Sequence, residues 1–468
     1  MFFRRFILNV FVIAHISFNI FSVVINDSSL LNPIDVKSIA TPKTIDELQT
    51  IVIDANKNKN SISICGMHFS QGGHCATQNG IVINMKELNK IIHIDQEKKE
   101  VTVQTGITWG QLQKHLHSYG LAISCMQSYN DFSVGGSLSV NCHGQDIHYP
   151  LISTTVKEIK LIMADGSMLT ANKNLNSEIF ESAIGGYGLI GIIHEVRIQL
   201  SNNNLLRKKA LEIPTESYPA YFNSHVKNNP AIALHSARLT ISEKNLFKNV
   251  LIVDYYNTEQ TVFSDDMPNH IKQKVINKLF ITTQSKPSPL RDLRPYFERN
   301  LFEKESEMSR NAAMGSTISG LLSPSSKTTY TLQEYFIPLE NFNKFQNELK
   351  KYITDSALNV LNITIRYVPK STDSLLNYTQ KDSFGFVLFV NHDTQQNTLD
   401  DMKKTTQQLI SCALNLGGTY YLPYQLYATE EQLKCAYPQF DKFAQLKNKV
   451  DPNHLFTNSF WQKYGKTY

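Results

Sequence analysis

The sequence predicts an α+β protein built from two or more domains. Its 468 residues exceed what one ordinary core encloses. Helix-period and strand-period segments follow one another without the regular order of a βαβ series. The dinucleotide-type pattern Gly186-x-Gly188-x-x-Gly191, within GGYGLIG, is preceded by a helical pattern and followed by a strand, the reverse of a Rossmann turn. A hydrophobic share of 41% against 19% charged residues describes a globular chain rather than a disordered one. The 46 basic and 41 acidic residues, +5 in sum, include no Lys/Arg block and no basic–aromatic interleaving, which argues against a nucleic-acid partner.

At the N-terminus, Arg4 and Arg5 precede an apolar run from Phe6 to Val24, the layout of a secretory signal over residues 1–26. Export, periplasmic or secreted, is the expectation. A membrane anchor formed by residues 6–24 is the alternative, since the run has about the length of a span. Asn9, His15, Ser17 and Asn19 interrupt it. Next, TPKTIDELQTIVIDANKN predicts a helix: Thr44 and Glu47 have capping-box spacing, and Leu48, Ile51, Val52 and Ala55 share a face. SISIC, GIVINM, IIHID and EVTVQTG predict short strands, and WGQLQKHLHSYG a helix. Ser133–Asp146, SVGGSLSVNCHGQD, is a glycine-rich loop of small residues, and VKEIKLIMADGSMLTA a hairpin turning at Asp165-Gly166. SEIFESAI places Ile179, Phe180, Ala183 and Ile184 at helical spacing, and IIHEVRIQL alternates as a strand.

From about Leu205 to Leu322 the chain is rich in Asn, Lys and Pro and marks a second domain. YTLQEYFIP predicts a strand leading into a helix. LNVLNITIRYV and SFGFVLFVNHD are β-rich, and TLDDMKKTTQQLISCALNLGG is helical. The six cysteines contain no C-x-x-C pair and no accompanying histidine cluster, so no metal site is expected. Buried free thiols are the simpler reading, with a Cys65–Cys75 bridge the alternative in an exported protein.

Three glycine-rich loops, GMHFSQGG, SVGGSLSVNCHG and GGYGLIG, fall in the first half of the chain. Glycine permits positive φ and close approach of backbone N–H groups to an anion. Together the loops suggest a phosphate-bearing cofactor held without a Rossmann helix. In order, TPKTIDELQTIV, ICGMHFSQGG with NGIVINMKELN, VTVQTGITWGQL, SVGGSLSVNCHG, the MADGS hairpin, GGYGLIGII, LQEYFIP and DPNHLFTNSF resemble the FAD-binding flavoproteins of the vanillyl-alcohol oxidase and p-cresol methylhydroxylase (PCMH) type. Within that group the chain is most similar to the decaprenylphosphoryl-ribose, alditol and aldonolactone oxidases, the last including D-arabinono-1,4-lactone oxidase.

The resemblance implies a two-subdomain PCMH-type FAD-binding domain over 35–204, an α+β substrate or cap domain over 205–430, and a C-terminal segment, 431–468, returning to the FAD domain. It implies FAD as cofactor. Gly66, Met67, His68, Phe69, Ser70, Gln71 and Gly72 then match the loop around the pyrophosphate. Val134, Gly135, Gly136, Ser137, His143 and Gly144 lie along the flavin. Gly191, Ile192 and Asn458 complete the cofactor set. Many members attach the flavin to a histidine in this loop. Here that position holds Phe69, so noncovalent FAD is expected, with attachment through His68 left open.

Oxidation of an alcohol by flavin needs a hydride delivered to N5 and a proton taken from the hydroxyl. The segment matching the alditol-oxidase E-x-R strand is Thr364-Ile365-Arg366, which keeps the arginine and lacks the carboxylate. Tyr424 falls where a lysine acts in that branch. Arg366, Tyr335, Tyr424 and His143 are therefore the catalytic candidates, and a sugar-like or other polyol is the expected small-molecule substrate. Tyr335 shares a strand face with Gln333, opposite Glu334. Each tyrosine also suits plain packing, and His143 a structural role. Amine oxidation of the cytokinin-dehydrogenase kind, and flavin binding without turnover, are the alternatives. The electron acceptor, oxygen or another, stays open.

Overall fold

The computed structural model describes residues 23–465, apart from 243, 264–269, 285–289, 291, 293–295, 297–304, 323 and 357. Most of the expected leader lies outside the described residues. Its last part does not: β1 (Val23–Ile25) pairs antiparallel with β2 (Ile34–Val36), and Ile25 packs with Val36, Cys65 and Cys75. Residues 23–25 thus belong to the folded body, held by this pairing and by burial of Ile25, while Val23 and Val24 stay exposed. Among the described residues no helix is long and apolar enough to cross a membrane.

A small parallel sheet comes first, in the order β3 (Ser38–Ala40), β5 (Ile81–Asn84), β4 (Ile62–Cys65). The predicted helix, Ile45–Lys57, covers it with Leu48, Val52 and Ala55. Thr44 accepts the Glu47 N–H as the capping box requires, but the Glu47 carboxylate takes the N–H of Lys43 rather than that of Thr44.

A second, antiparallel sheet runs β10 (Met168–Ala171), β9 (Val156–Ile162), β11 (Ile192–Asn202), β7 (Glu100–Gln104), β6 (Ile91–Asp95), with β8 (Leu121–Ile123) on the far end of β11. Segment 134–139, expected as loop, is a short helix. Ser133 caps it by accepting the Gly136 N–H, which lets the two glycines stay helical.

The chain leaves this sheet at Asn202 and enters an eight-stranded antiparallel sheet two residues later. Its order is β15 (Ser306–Ser309), β12 (Asn204–Pro214), β14 (Asn249–Thr261), β13 (Ile232–Leu239), β17 (Asn359–Val368), β18 (Ser383–Asp393), β16 (Thr328–Pro338), β19 (Thr419–Tyr420). Helices Phe342–Asp355 and Gln396–Asn415 pack on one face of it. The other face looks toward the first domain. The tail returns to the small sheet: Phe456 bridges to Ile62, and Thr457 N–H donates to the Ile62 carbonyl.

Candidate active site

The first wall grows from the end of β4. Gly66 follows Cys65, and a Cβ there would lie 2.4 Å from Ser133 Oγ, so only glycine lets this loop meet the capped turn at residue 133. Further on, Gly72 and Gly73 have φ of 102° and 75°, and both N–H groups go to Asp27 Oδ2. The carboxamide of Gln71 ties the loop to β16 by donating to the Tyr330 carbonyl and accepting the Leu332 N–H. These anchors leave residues 66–70 on the wall of a cavity of about 810 Å³, between the first domain and the eight-stranded sheet. That size suits a cofactor-scale ligand.

Of the expected cofactor residues, Gly66, Met67, His68, Phe69 and Ser70 line the cavity from one side, and Gly135, Gly136, His143, Gly191 and Ile192 from the other. The remainder stand behind the wall. Gln71 and Gly72 anchor the loop. Val134 is core, and Ser137 bonds Gln127 and the Trp109 indole. Gly144 packs on the Met126 carbonyl, where a Cβ would come within 2.6 Å. Asn458 caps the helix Ser459–Tyr464 and donates to the Tyr187 carbonyl. These six support the cavity rather than face it, because their polar atoms are used within the protein.

The cavity fits a flavin dinucleotide in one further respect. His74 lines it with both ring nitrogens buried and without partners. Burial pushes its pKa down to about 4, so at neutral pH the ring is uncharged and offers one donor and one acceptor. Phe69 packs edge-on against Phe132 at 4.7 Å. His68 sits at φ 59°, its Nδ1 3.8 Å from Cys75 Sγ.

The opposite wall is the face of the large sheet. Arg238, Thr364, Val387 and Glu334 are successive cross-strand neighbours on β13, β17, β18 and β16, and all four line the cavity. Glu334 is buried, and its Oε1 lies 2.5 Å from His143 Nε2. The contact is close but out of line for a hydrogen bond, so Oε1 lacks an aligned donor and His143 Nδ1 also has none. Tyr424 donates to Glu334 Oε2 at 3.2 Å. Burial, reinforced by that carboxylate, raises the Tyr424 pKa well above the usual phenol range, which makes it a fixed donor and not a base. Arg366, two residues beyond Thr364, donates from Nη2 to Ser128 Oγ at 3.0 Å, while its Nη1 is buried without a partner. Burial and then the charge of Arg238 bring Arg366 down to about 10, still cationic at neutral pH.

Tyr335 is a correction. Its hydroxyl donates to Gln333 Oε1 at 2.7 Å and its ring packs on Phe345, on the helix-covered face away from the cavity. Strand alternation that carries Tyr335 out carries Glu334 in. Glu334 and Arg238 are the cavity residues that sequence reasoning passed over. The signal for Glu334 was the one used for Arg366: a lone charge in a run buried on both faces. The cysteines bring a second difference. Among the described residues all six are free, yet Cys65, His68 and Cys75 gather their donor atoms within 4.8 Å, a cluster that residue spacing did not reveal. The contact between the thiols lowers Cys75 and raises Cys65.

Comparison with known proteins finds two matching stretches of the chain. Residues 36–172 match the family described as FAD binding domain, and residues 247–464 that described as D-arabinono-1,4-lactone oxidase. L-gulonolactone oxidase of Mus musculus is 24% identical over 443 residues, covering 90% of this chain and 93% of that protein. The mitochondrial L-galactono-1,4-lactone dehydrogenase of Brassica oleracea is 30% identical over 166 residues, 36% of this chain and 28% of that one. The D-arabinono-1,4-lactone oxidase of Yarrowia lipolytica is 31% identical over 156 residues, 32% and 30% of the two chains.

Proposed function

This chain belongs to the PCMH-type FAD flavoproteins, on their aldonolactone oxidase branch, and on that premise we propose that it oxidises a hydroxyl group of a sugar lactone or related polyol. Bound FAD supplies the acceptor for the hydride leaving the carbinol carbon. The loop 66–70, with Gly135, Gly136 and His74, holds the cofactor. Glu334 Oε1 takes the hydroxyl proton, with His143 beside it and Tyr424 fixing the second carboxylate oxygen. Arg366 Nη1 donates to the substrate oxygen and stabilises the charge that builds there as the proton leaves. Phe69, Phe132 and Tyr129 close an apolar side of the cavity and keep water from the reacting carbon.

The observation that carries this reading is the placement of Glu334 and Arg366 on one cavity wall, each with a polar atom not satisfied by the protein. The same carboxylate is also what an amine substrate requires, so the test includes both. FAD-loaded protein is mixed anaerobically with a panel of aldonolactones, alditols and amines, and loss of the visible flavin band is followed. Bleaching by a lactone or polyol is expected. Bleaching by amines alone transfers the reading to amine oxidation, and bleaching by none refutes turnover. Reoxidation by oxygen, compared with an artificial acceptor, then sorts oxidase from dehydrogenase.

A further inference from the structure

Two thiols and an imidazole converge at the first glycine loop, and the oxidation chemistry above has no task for either thiol. Cys65 ends β4, His68 lies three residues on, and Cys75 follows the Gly72-Gly73 turn. Their donor atoms, the two Sγ atoms and a ring nitrogen of His68, all lie within 4.8 Å of one another. His68 Nδ1 and Cys75 Sγ are 3.8 Å apart. Bonds of about 2.3 Å from zinc to sulfur and about 2.0–2.1 Å to nitrogen set tetrahedral ligands roughly 3.5–3.8 Å apart. That pair already has this spacing, and the third ligand reaches it with a movement of about 1 Å or less.

Contacts from outside the cluster hold the three residues in place. Asp27 Oδ2 accepts the N–H groups of Gly72 and Gly73 and so fixes the leg of the loop that carries Cys75. The Ser28 N–H donates to the His68 carbonyl at 3.0 Å, and its hydroxyl to the Phe69 carbonyl at 3.3 Å. Held there, His68 keeps φ at 59°, a left-handed conformation that is costly for a residue with a side chain. Cys65 and Cys75 are both buried, and His68 and Cys75 line the cavity.

We propose that Cys65, His68 and Cys75 bind a thiophilic divalent cation of the zinc type, set in the wall of the cofactor cavity. Two sulfur ligands and an imidazole suit zinc and disfavour Mg²⁺ and Ca²⁺, which take oxygen. The thiols bind as thiolates and release their protons to water. The fourth position is left to a water molecule or to a donor atom that enters through the cavity. The cation ties the end of β4 to the returning leg of the loop and so braces residues 66–70 between them. This site goes beyond the oxidation reading and does not depend on which substrate is oxidised.

Equilibrium dialysis of the reduced, FAD-loaded protein against Zn²⁺ tests it, with Co²⁺ as the spectroscopic substitute. About one Zn²⁺ per chain is retained, and excess Mg²⁺ does not displace it. Co²⁺ at the same site gives the intense visible bands of tetrahedral thiolate coordination, to the red of the flavin absorption. Cys75→Ser and His68→Gln each weaken Zn²⁺ binding at least about 100-fold, since loss of a ligand costs more than loss of a ligand's outer partner. Cys435→Ser, which changes an exposed thiol outside the cluster, leaves binding unchanged. The proposal is overturned if no Zn²⁺ is retained, if the cobalt spectrum lacks the thiolate bands, or if binding survives Cys75→Ser or His68→Gln or is lost in Cys435→Ser. The cobalt spectrum of the unsubstituted protein stands whether or not a variant folds. Metal retention is read without turnover, so a failure of the oxidation chemistry shows separately, as unbleached flavin in a protein that still holds Zn²⁺.

Discussion

Replacing Asp451 by Asn tests how the C-terminal segment is held against the cofactor domain. Asp451 and Lys447 are both fully buried, and Lys447 Nζ donates to Asp451 Oδ2. The same carboxylate accepts the Leu455 and Phe456 N–H groups, each at 2.8 Å. It closes the turn that sets Phe456 beside Ile62, on the strand that leads directly into the cofactor loop. Asparagine keeps the shape but puts an NH₂ where the Phe456 N–H and the ammonium need an acceptor. An ammonium left buried without its counter-charge costs about 3–5 kcal/mol. At about 2.1 cal/mol/K per residue, a cooperative transition of a chain this long shifts by roughly 1 °C per kcal/mol. The expected fall in Tm is therefore about 3–5 °C. Adding Lys447→Met removes the stranded charge, so the double variant recovers part of the loss. Differential scanning calorimetry of the FAD-loaded proteins measures all three. The reasoning fails if Asp451→Asn melts with the unsubstituted protein, or if the double variant is less stable than the single one.

Three further outcomes can be measured, two at the site and one at a buried histidine outside it. Glu334→Gln slows flavin reduction by an accepted substrate about 10²- to 10⁴-fold in stopped-flow single turnovers, while flavin content is retained; Tyr335→Phe, on the other face of β16, leaves that rate unchanged, and equal loss in both variants would remove Glu334 from its role. His194 is buried with a pKa near 4, below its unfolded value, so its contribution is fully present above about pH 6.5 and is lost as the pH falls toward 4. Between pH 7 and 5 this amounts to about 2 kcal/mol, and His194→Gln flattens the pH profile of unfolding by that amount, whereas an unchanged profile counts against a buried neutral imidazole. Acid precipitation is expected to release the flavin into the supernatant, since the resemblance sets Phe69 where a linking histidine would be; flavin that stays with the pellet, and leaves it in His68→Ala, would establish attachment through His68.

Sequence suffices wherever local pattern decides. The helix over Ile45–Lys57, the strands flanking the glycine loops and the helix-to-strand order around GGYGLIG follow from period and capping, and that reversed order is enough to rule out a Rossmann turn. Arg366 stands out because a charge in an apolar strand asks for a reason. The pairing of residues at the site comes from tertiary packing instead. Tyr335 and Glu334 are adjacent in sequence, and only the packing of two helices on one face of β16 settles which of them meets the cavity. Arg238 joins Thr364 and Arg366 through pairing of strands more than a hundred residues apart, and Cys65, His68 and Cys75 meet because the glycine loop folds back on itself. Period reports which side of a strand a residue takes; what lies on that side is set by long-range register, which no local window contains.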